Sequence, residues 1–190
     1  MSNVELILGG TFSGKSAFAC DRARRAAGRE PGGVLVIATA LDGDPDVRRR
    51  IAEHRRRRPR EWRTVEEPHR VAAAIRDGIR LPAPPAVIVV ECLTMLVTNL
   101  MLRDGVVDRA SASERVAVEV EAIVRAADGR STAVLIVSNE VGHGLFPTTS
   151  DGRLFQELAG LANQRIAAAA DTVWTVTAGI PARIKPARIK

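Results

Sequence analysis

Gly9-Gly10-Thr11-Phe12-Ser13-Gly14-Lys15-Ser16 is the most chemically specific stretch of the chain. It fits the spacing G-x-x-x-x-G-K-[ST], in which glycines let backbone N–H groups curl around phosphate oxygens. An apolar run, Val4 to Leu8, leads in, and an Ala/Arg-rich helical pattern over 15–28 leads out. The positive end of that helix then faces a bound anion. At this spacing Lys15 reaches the β- and γ-phosphates of a nucleotide, and the Ser16 hydroxyl ligates Mg²⁺. All eight residues are therefore nucleotide-binding candidates, with Lys15 also catalytic and Ser16 also a metal ligand.

Mg²⁺ in such a site takes a carboxylate from the end of another buried strand. Glu91 ends the run Val87-Ile88-Val89-Val90 and is the first candidate; Asp42 and Asp44, after a second run, are the alternatives. Nine arginines fall between Arg48 and Arg63, with His54 among them. Neighbouring positive charge disfavours imidazolium, so the sequence predicts a neutral, nucleophilic His54 in a setting where guanidinium groups hold a phosphate ester. The competing reading is a solvated basic helix with an incidental histidine.

The elements that must position these residues follow from hydrophobic patterning. Val4–Leu8, Val34–Ala38, Ala86–Val90, Ala133–Val137 and Thr172–Val176 are short β-rich runs without polar alternation, which marks strands buried on both faces. Helical patterns over 15–28, 68–80, 111–128 and 151–170 lie between them. This alternation predicts an α/β fold with a mostly parallel sheet covered on both sides. The 190 residues make one domain, with no linker to divide it, and end in a repeated basic tail over 181–190, Pro-Ala-Arg-Ile-Lys twice. The tail reads as a duplication without a role or as a basic flap near the phosphates.

Composition narrows the classes further. Apolar residues at 46% and charged residues at 26% describe a globular chain. No run is long enough to span a bilayer, and a first strand at Val4 with Glu5 inside it leaves no secretory signal. Cys20 and Cys92, far apart, exclude a disulfide scaffold or zinc finger and suit a reducing cytoplasm. A net charge of +6 asks for a polyanionic partner, but 3% aromatics and no tyrosine argue against single-stranded nucleic acid.

Across Gly9 to Lys185 the chain resembles the adenosylcobinamide kinase / adenosylcobinamide-phosphate guanylyltransferase family. The resemblance rests on the glycine loop, Ile37-Ala38-Thr39, Arg50-Ile51-x-x-His54-x-x-x-Arg58-Pro59-x-x-Trp62-x-Thr64-x-Glu66, Glu91-Cys92-Leu93-Thr94 and Thr98-Asn99. It continues through Val137-Ser138-Asn139-Glu140-Val141-Gly142-x-Gly144-x-x-Pro147 and Gly160-x-x-Asn163-Gln164. It implies a P-loop NTPase-type three-layer fold and a homo-oligomer with substrate sites at subunit interfaces. It also implies two reactions: phosphorylation of adenosylcobinamide by ATP or GTP, then transfer of GMP from GTP through a covalent histidine, which here is His54. The nucleotide contacts it implies add Thr39, Ala40, Leu41, Arg55, Arg56, Arg57, Arg58, Glu66 and Glu91 to the loop. Glu53 stands where some members have an adjacent histidine; His69 and His143 are the remaining alternatives. Competing classes are another small-molecule kinase with an inert His54, and a nucleic-acid-binding ATPase.

Overall fold

The structure is a computed structural model that describes residues 3–28, 33–41, 43, 45–103, 105, 107–129 and 131–185. The elements run β1 (Val4–Gly9), α1 (Lys15–Ala27), β2 (Val34–Ala38), α2 (Pro45–Arg57), β3 (Arg63–Glu66), α3 (Val71–Ile79), β4 (Val87–Glu91) and α4 (Leu93–Met101). They continue with α5 (Arg109–Ala127), β5 (Ala133–Asn139), α6 (Ser150–Ala169), β6 (Thr172–Thr177) and β7 (Ile180–Lys185). The strands form one seven-stranded sheet in the order β3-β2-β4-β5-β1-β6-β7. All neighbours are parallel except β6 and β7.

Both faces of the sheet are buried, which explains why its inner strands are apolar without alternation. Ile7, Val34, Val36, Val87, Val89, Leu135 and Val137 pack with Ala19, Ala23 and Ala27 of α1. The alternate residues, including Leu6, Ile37, Ile88, Val90, Val134 and Ile136, pack under the helices α3, α4, α5 and α6. Helices thus flank a mostly parallel sheet, as expected. No helix among the described residues is long and apolar enough to cross a membrane.

The helix ends follow local chemistry. Asp108 caps α5 by accepting from Ser111 N–H at 2.8 Å, and Thr149 caps α6 through Gly152 N–H at 3.1 Å. Helix α1 has no side-chain cap; it begins directly from Gly14, so its first N–H groups are left for another acceptor.

The Arg-rich stretch is helix α2, as the basic-helix reading had it. Three elements were not among those expected. Residues 63–66 form the edge strand β3. Leu93, Leu96, Val97 and Leu100 form the buried stripe of α4. The first copy of the basic repeat is strand β7, which pairs with β6 from Thr177↔Ile180 to Val173↔Lys185. It therefore starts beside the glycine loop and runs away from it. The second copy, 186–190, lies outside the described residues.

Candidate active site

Parallel pairing brings the predicted residues to one edge. Gly9 ends β1 opposite Asn139 of β5 and Val176 of β6. Two strands over, Glu91 of β4 lies between Ala38 of β2 and Val137 of β5, and Ala38 in turn pairs with Glu66 of β3. With neighbouring strands ~4.8 Å apart, the strand ends carrying the glycine loop and Glu91 lie roughly 10 Å apart along one edge, at the carboxyl ends where open α/β sheets bind ligands.

Residues 9–16 form a tight turn. Ser13 N–H donates to the Gly10 carbonyl at 3.2 Å, and the Lys15 ammonium folds back onto the same carbonyl at 3.0 Å. Lys15 is only 9% exposed. Burial pulls its ammonium below the ordinary value, opposed by the nearby Glu91 carboxylate. Thr11 and Phe12 stand exposed on the crest of the turn.

The Glu91 carboxylate is the centre of the opposite wall. One oxygen lies 2.9 Å from Nδ1 of His54, and Arg58 donates to the other at 2.7 Å. Burial alone would raise the Glu91 carboxyl, but His54 and Arg58 outweigh it and hold it down at about 2. An ionised carboxylate only accepts, so the Nδ1 of His54 carries the hydrogen of this pair and Nε2 is the ring nitrogen not engaged by Glu91. The arginines were expected to be the groups acting on His54; the structure puts a carboxylate in direct contact with it instead. Its imidazole remains 38% exposed, open to a substrate, while Arg58 and Glu91 are nearly closed off.

The other candidates divide. Arg55 pairs with Glu66 on the surface. Arg56 is exposed, and the side chain of Arg57 lies outside the described residues, as do Asp42 and Asp44. Ala40 is half-buried and Leu41 exposed, both following β2. Thr39 is fully buried and its hydroxyl is already engaged. It donates to the Cys92 carbonyl at 2.8 Å and accepts from Cys92 N–H at 2.7 Å, tying the ends of β2 and β4. Asn99 completes this tie, donating to the Thr39 carbonyl at 2.7 Å and the Pro68 carbonyl at 3.0 Å.

That tie was missed in the sequence, as was the contact between Glu91 and His54. Asn163 donates to the Asn139 carbonyl and Asn139 to Thr94, so both asparagines also hold the edge. Glu140 accepts from Gly142 N–H and folds its own loop. Trp62 packs against the α1 face of the core. His69 precedes α3 with its N–H on Glu67, and His143 lies exposed in the loop after β5. Burial raises both thiols, that of Cys20 to about 11, so neither is a nucleophile at neutral pH.

The donor chemistry fits Mg²⁺. Ser16 Oγ and the Glu91 carboxylate are hard oxygen donors, and Mg²⁺ takes one or two such groups plus water and substrate phosphates. A carboxylate has about four lone-pair sites, so contacts to His54 and Arg58 leave capacity.

A profile of the CobU family, described as cobinamide kinase / cobinamide phosphate guanyltransferase, matches residues 5–184. The chain is 36% identical over 186 residues to the bifunctional adenosylcobalamin biosynthesis protein CobU of Escherichia coli, covering 95% of this chain and 98% of that one. It is 38% identical over 181 residues to the bifunctional adenosylcobalamin biosynthesis protein CobP of Pseudomonas aeruginosa, at 95% and 96% coverage. The CobU protein of Salmonella typhimurium is 37% identical over 186 residues, at 95% and 98%.

Proposed function

The chain belongs to the cobinamide kinase / cobinamide phosphate guanyltransferase family, and from that premise we propose that it carries both activities on one P-loop nucleotide-binding domain. In the first reaction the hydroxyl of adenosylcobinamide attacks the γ-phosphorus of ATP or GTP and the nucleoside diphosphate leaves. In the second, Nε2 of His54 attacks the α-phosphorus of GTP and pyrophosphate leaves. An oxygen of adenosylcobinamide phosphate then displaces the histidine, breaking the P–N bond and giving adenosyl-GDP-cobinamide.

The observation that carries the second reaction is the His54–Glu91 pair at 2.9 Å. Glu91 holds the Nδ1 hydrogen, directs Nε2 outward and offsets the positive charge that forms on the imidazole during attack. Arg58, behind the carboxylate, fixes Glu91 in place. Lys15 and the N–H groups of residues 9–16 bind the phosphates that stay with the leaving group. Mg²⁺, held by Ser16 and Glu91 with the nucleotide, would neutralise phosphate charge. Arg55, Arg56, Arg57 and Glu66, with Thr39, Ala40 and Leu41 at the end of β2, border the nucleotide in this reading. Thr39 acts there through its backbone, since its hydroxyl is spent on Cys92. The reading extends to a homo-oligomer working in the cytoplasm, where ATP and GTP are available, without a nucleic-acid partner.

The test is incubation with α-labelled GTP and Mg²⁺, followed by denaturation. Wild-type protein is expected to retain acid-labile, base-stable label, and His54→Ala to lose it while keeping much of its phosphoryl transfer. A His54→Ala protein that still labels moves the nucleophile to His69 or His143. A wild-type protein that phosphorylates cobinamide but never labels leaves a kinase alone.

A further inference from the structure

The C-terminal hairpin lies beside the glycine loop, and the two reactions leave it unused. Strands β6 and β7 are joined by Ala178 and Gly179, which have φ of +50° and +80°. With Thr177 opposite Ile180, this is a two-residue turn of the type that needs positive φ at both positions. The turn touches the glycine loop directly. Gly179 N–H donates to the Ser13 carbonyl at 2.8 Å. A Cβ on Gly14 would lie 3.0 Å from the Gly179 Cα, and one on Gly9 would lie 2.6 Å from the Val176 carbonyl oxygen. The loop therefore leans on the hairpin at its root, at its carbonyl and at its exit into α1.

Strand β7 does little for the core: Ile180 and Ile184 are 71% and 60% exposed. It is instead tied at its far end. Arg183 sits 5.9 Å over the Trp174 ring, and Lys185 donates to the carbonyls of Ala167 and Ala168 at the end of α6, at 2.7 and 3.0 Å. A strand that buries little and is anchored away from the turn holds the turn in position.

We propose that the Ala178–Gly179 turn is a positioning element for nucleotide phosphate, and Gly179 its positioning residue. A trans peptide aims its C=O and its N–H in opposite directions. Fixing the Ser13 carbonyl against Gly179 thus turns the Gly14 N–H away from the hairpin, and that N–H has no acceptor among the described residues. The brace preorganises this donor for a phosphate oxygen, so it acts on affinity for every substrate held through its β- and γ-phosphates. The inference rests on the glycine loop being the nucleotide site.

Gly179→Ala tests it. A Cβ there meets nothing within 4 Å, so its only penalty is the left-handed backbone, which alanine resists and asparagine tolerates. Binding is read with a ribose-labelled fluorescent GTP analogue, displaced by inorganic pyrophosphate. Gly179→Ala is expected to weaken both ligands about tenfold, which is about 1.4 kcal/mol. KM for nucleotide should rise by the same factor while kcat at saturation stays within about threefold of wild type. Gly179→Asn should restore binding to within about twofold. Gly129→Ala supplies the control: the φ there is +65° with nothing within 4 Å, after α5. It should melt earlier than wild type and bind unchanged. Wild-type affinity in Gly179→Ala overturns the brace and leaves the nucleotide site standing. Equal weakening in Gly129→Ala also overturns it, as a general effect of strain. A wild-type protein that binds neither ligand overturns the site itself and the brace with it.

Discussion

Glu91 serves three neighbours with one carboxylate: His54 and Arg58 in contact, and Lys15 close enough to feel its charge. A motif reading finds it as a strand-end carboxylate and assigns it to metal. Its partner His54 is 37 positions away in the chain, on a helix that the sequence shows only as a run of arginines, so the contact is invisible before folding. What was legible was each residue's type, because the loop spacing and the histidine among arginines are local features. Two predictions belong here. Lys15→Ala removes the buried cation that folds onto the glycine loop, and nucleotide turnover should fall about 10²–10³-fold with the fold retained, judged by circular dichroism. Glu91→Gln keeps the volume but not the charge that steadies His54. Histidine labelling should fall by about 10² and stay low at saturating Mg²⁺. Recovery to wild-type labelling at high Mg²⁺ would give the carboxylate to the metal alone.

The five central strands were legible because strands buried on both faces are dominated by apolar and β-branched residues, and the helices between them carry the expected 3.6-residue spacing. Edge elements lack that pressure. Arg63-Thr64-Val65-Glu66 is mostly exposed, so β3 carries no apolar signature. Strand β7 hides inside a basic repeat, and α4 was absorbed into a polar motif although its apolar stripe was present. The elements are then joined by buried polar ties that no periodicity encodes. Asn99 of α4, 5% exposed, satisfies carbonyls after β2 and before α3. Asn99→Ala leaves both carbonyls without that donor in a dry place. Urea unfolding should show a loss of about 1–3 kcal/mol. Because the same tie sets the end of β2 against β4, labelling of His54 should fall as well. Loss of stability with full labelling would make Asn99 a core support only.

At the scale of the whole molecule, the site's electrostatics are written into the pH dependence of folding. Most of the net charge of +6 sits on exposed arginines and is screened by solvent. The Glu91 carboxyl is different: it is buried among His54, Arg58, Cys20 and Lys15, and it is held at about 2 against an ordinary 4.5. A carboxyl depressed in the folded state takes up its proton later than the unfolded chain does. Its stabilising contribution is therefore complete above about pH 4.5 and disappears as pH falls toward 2. Glu67 has the same sign: burial would raise it, but the N–H groups of Arg70 and His69 hold it down. Glu119 has the opposite sign, since burial raises it, and its cost is relieved as pH falls. The Glu91 shift is the large one of the three and sets the trend. Wild-type protein should melt above Glu91→Gln at pH 7, and the gap should close progressively between pH 4.5 and 2. Thermal melts of both proteins across that range check it. A gap that stays constant would mean that Glu91 is not held ionised by His54 and Arg58, and with that the orientation argued for the His54 nucleophile would lose its support.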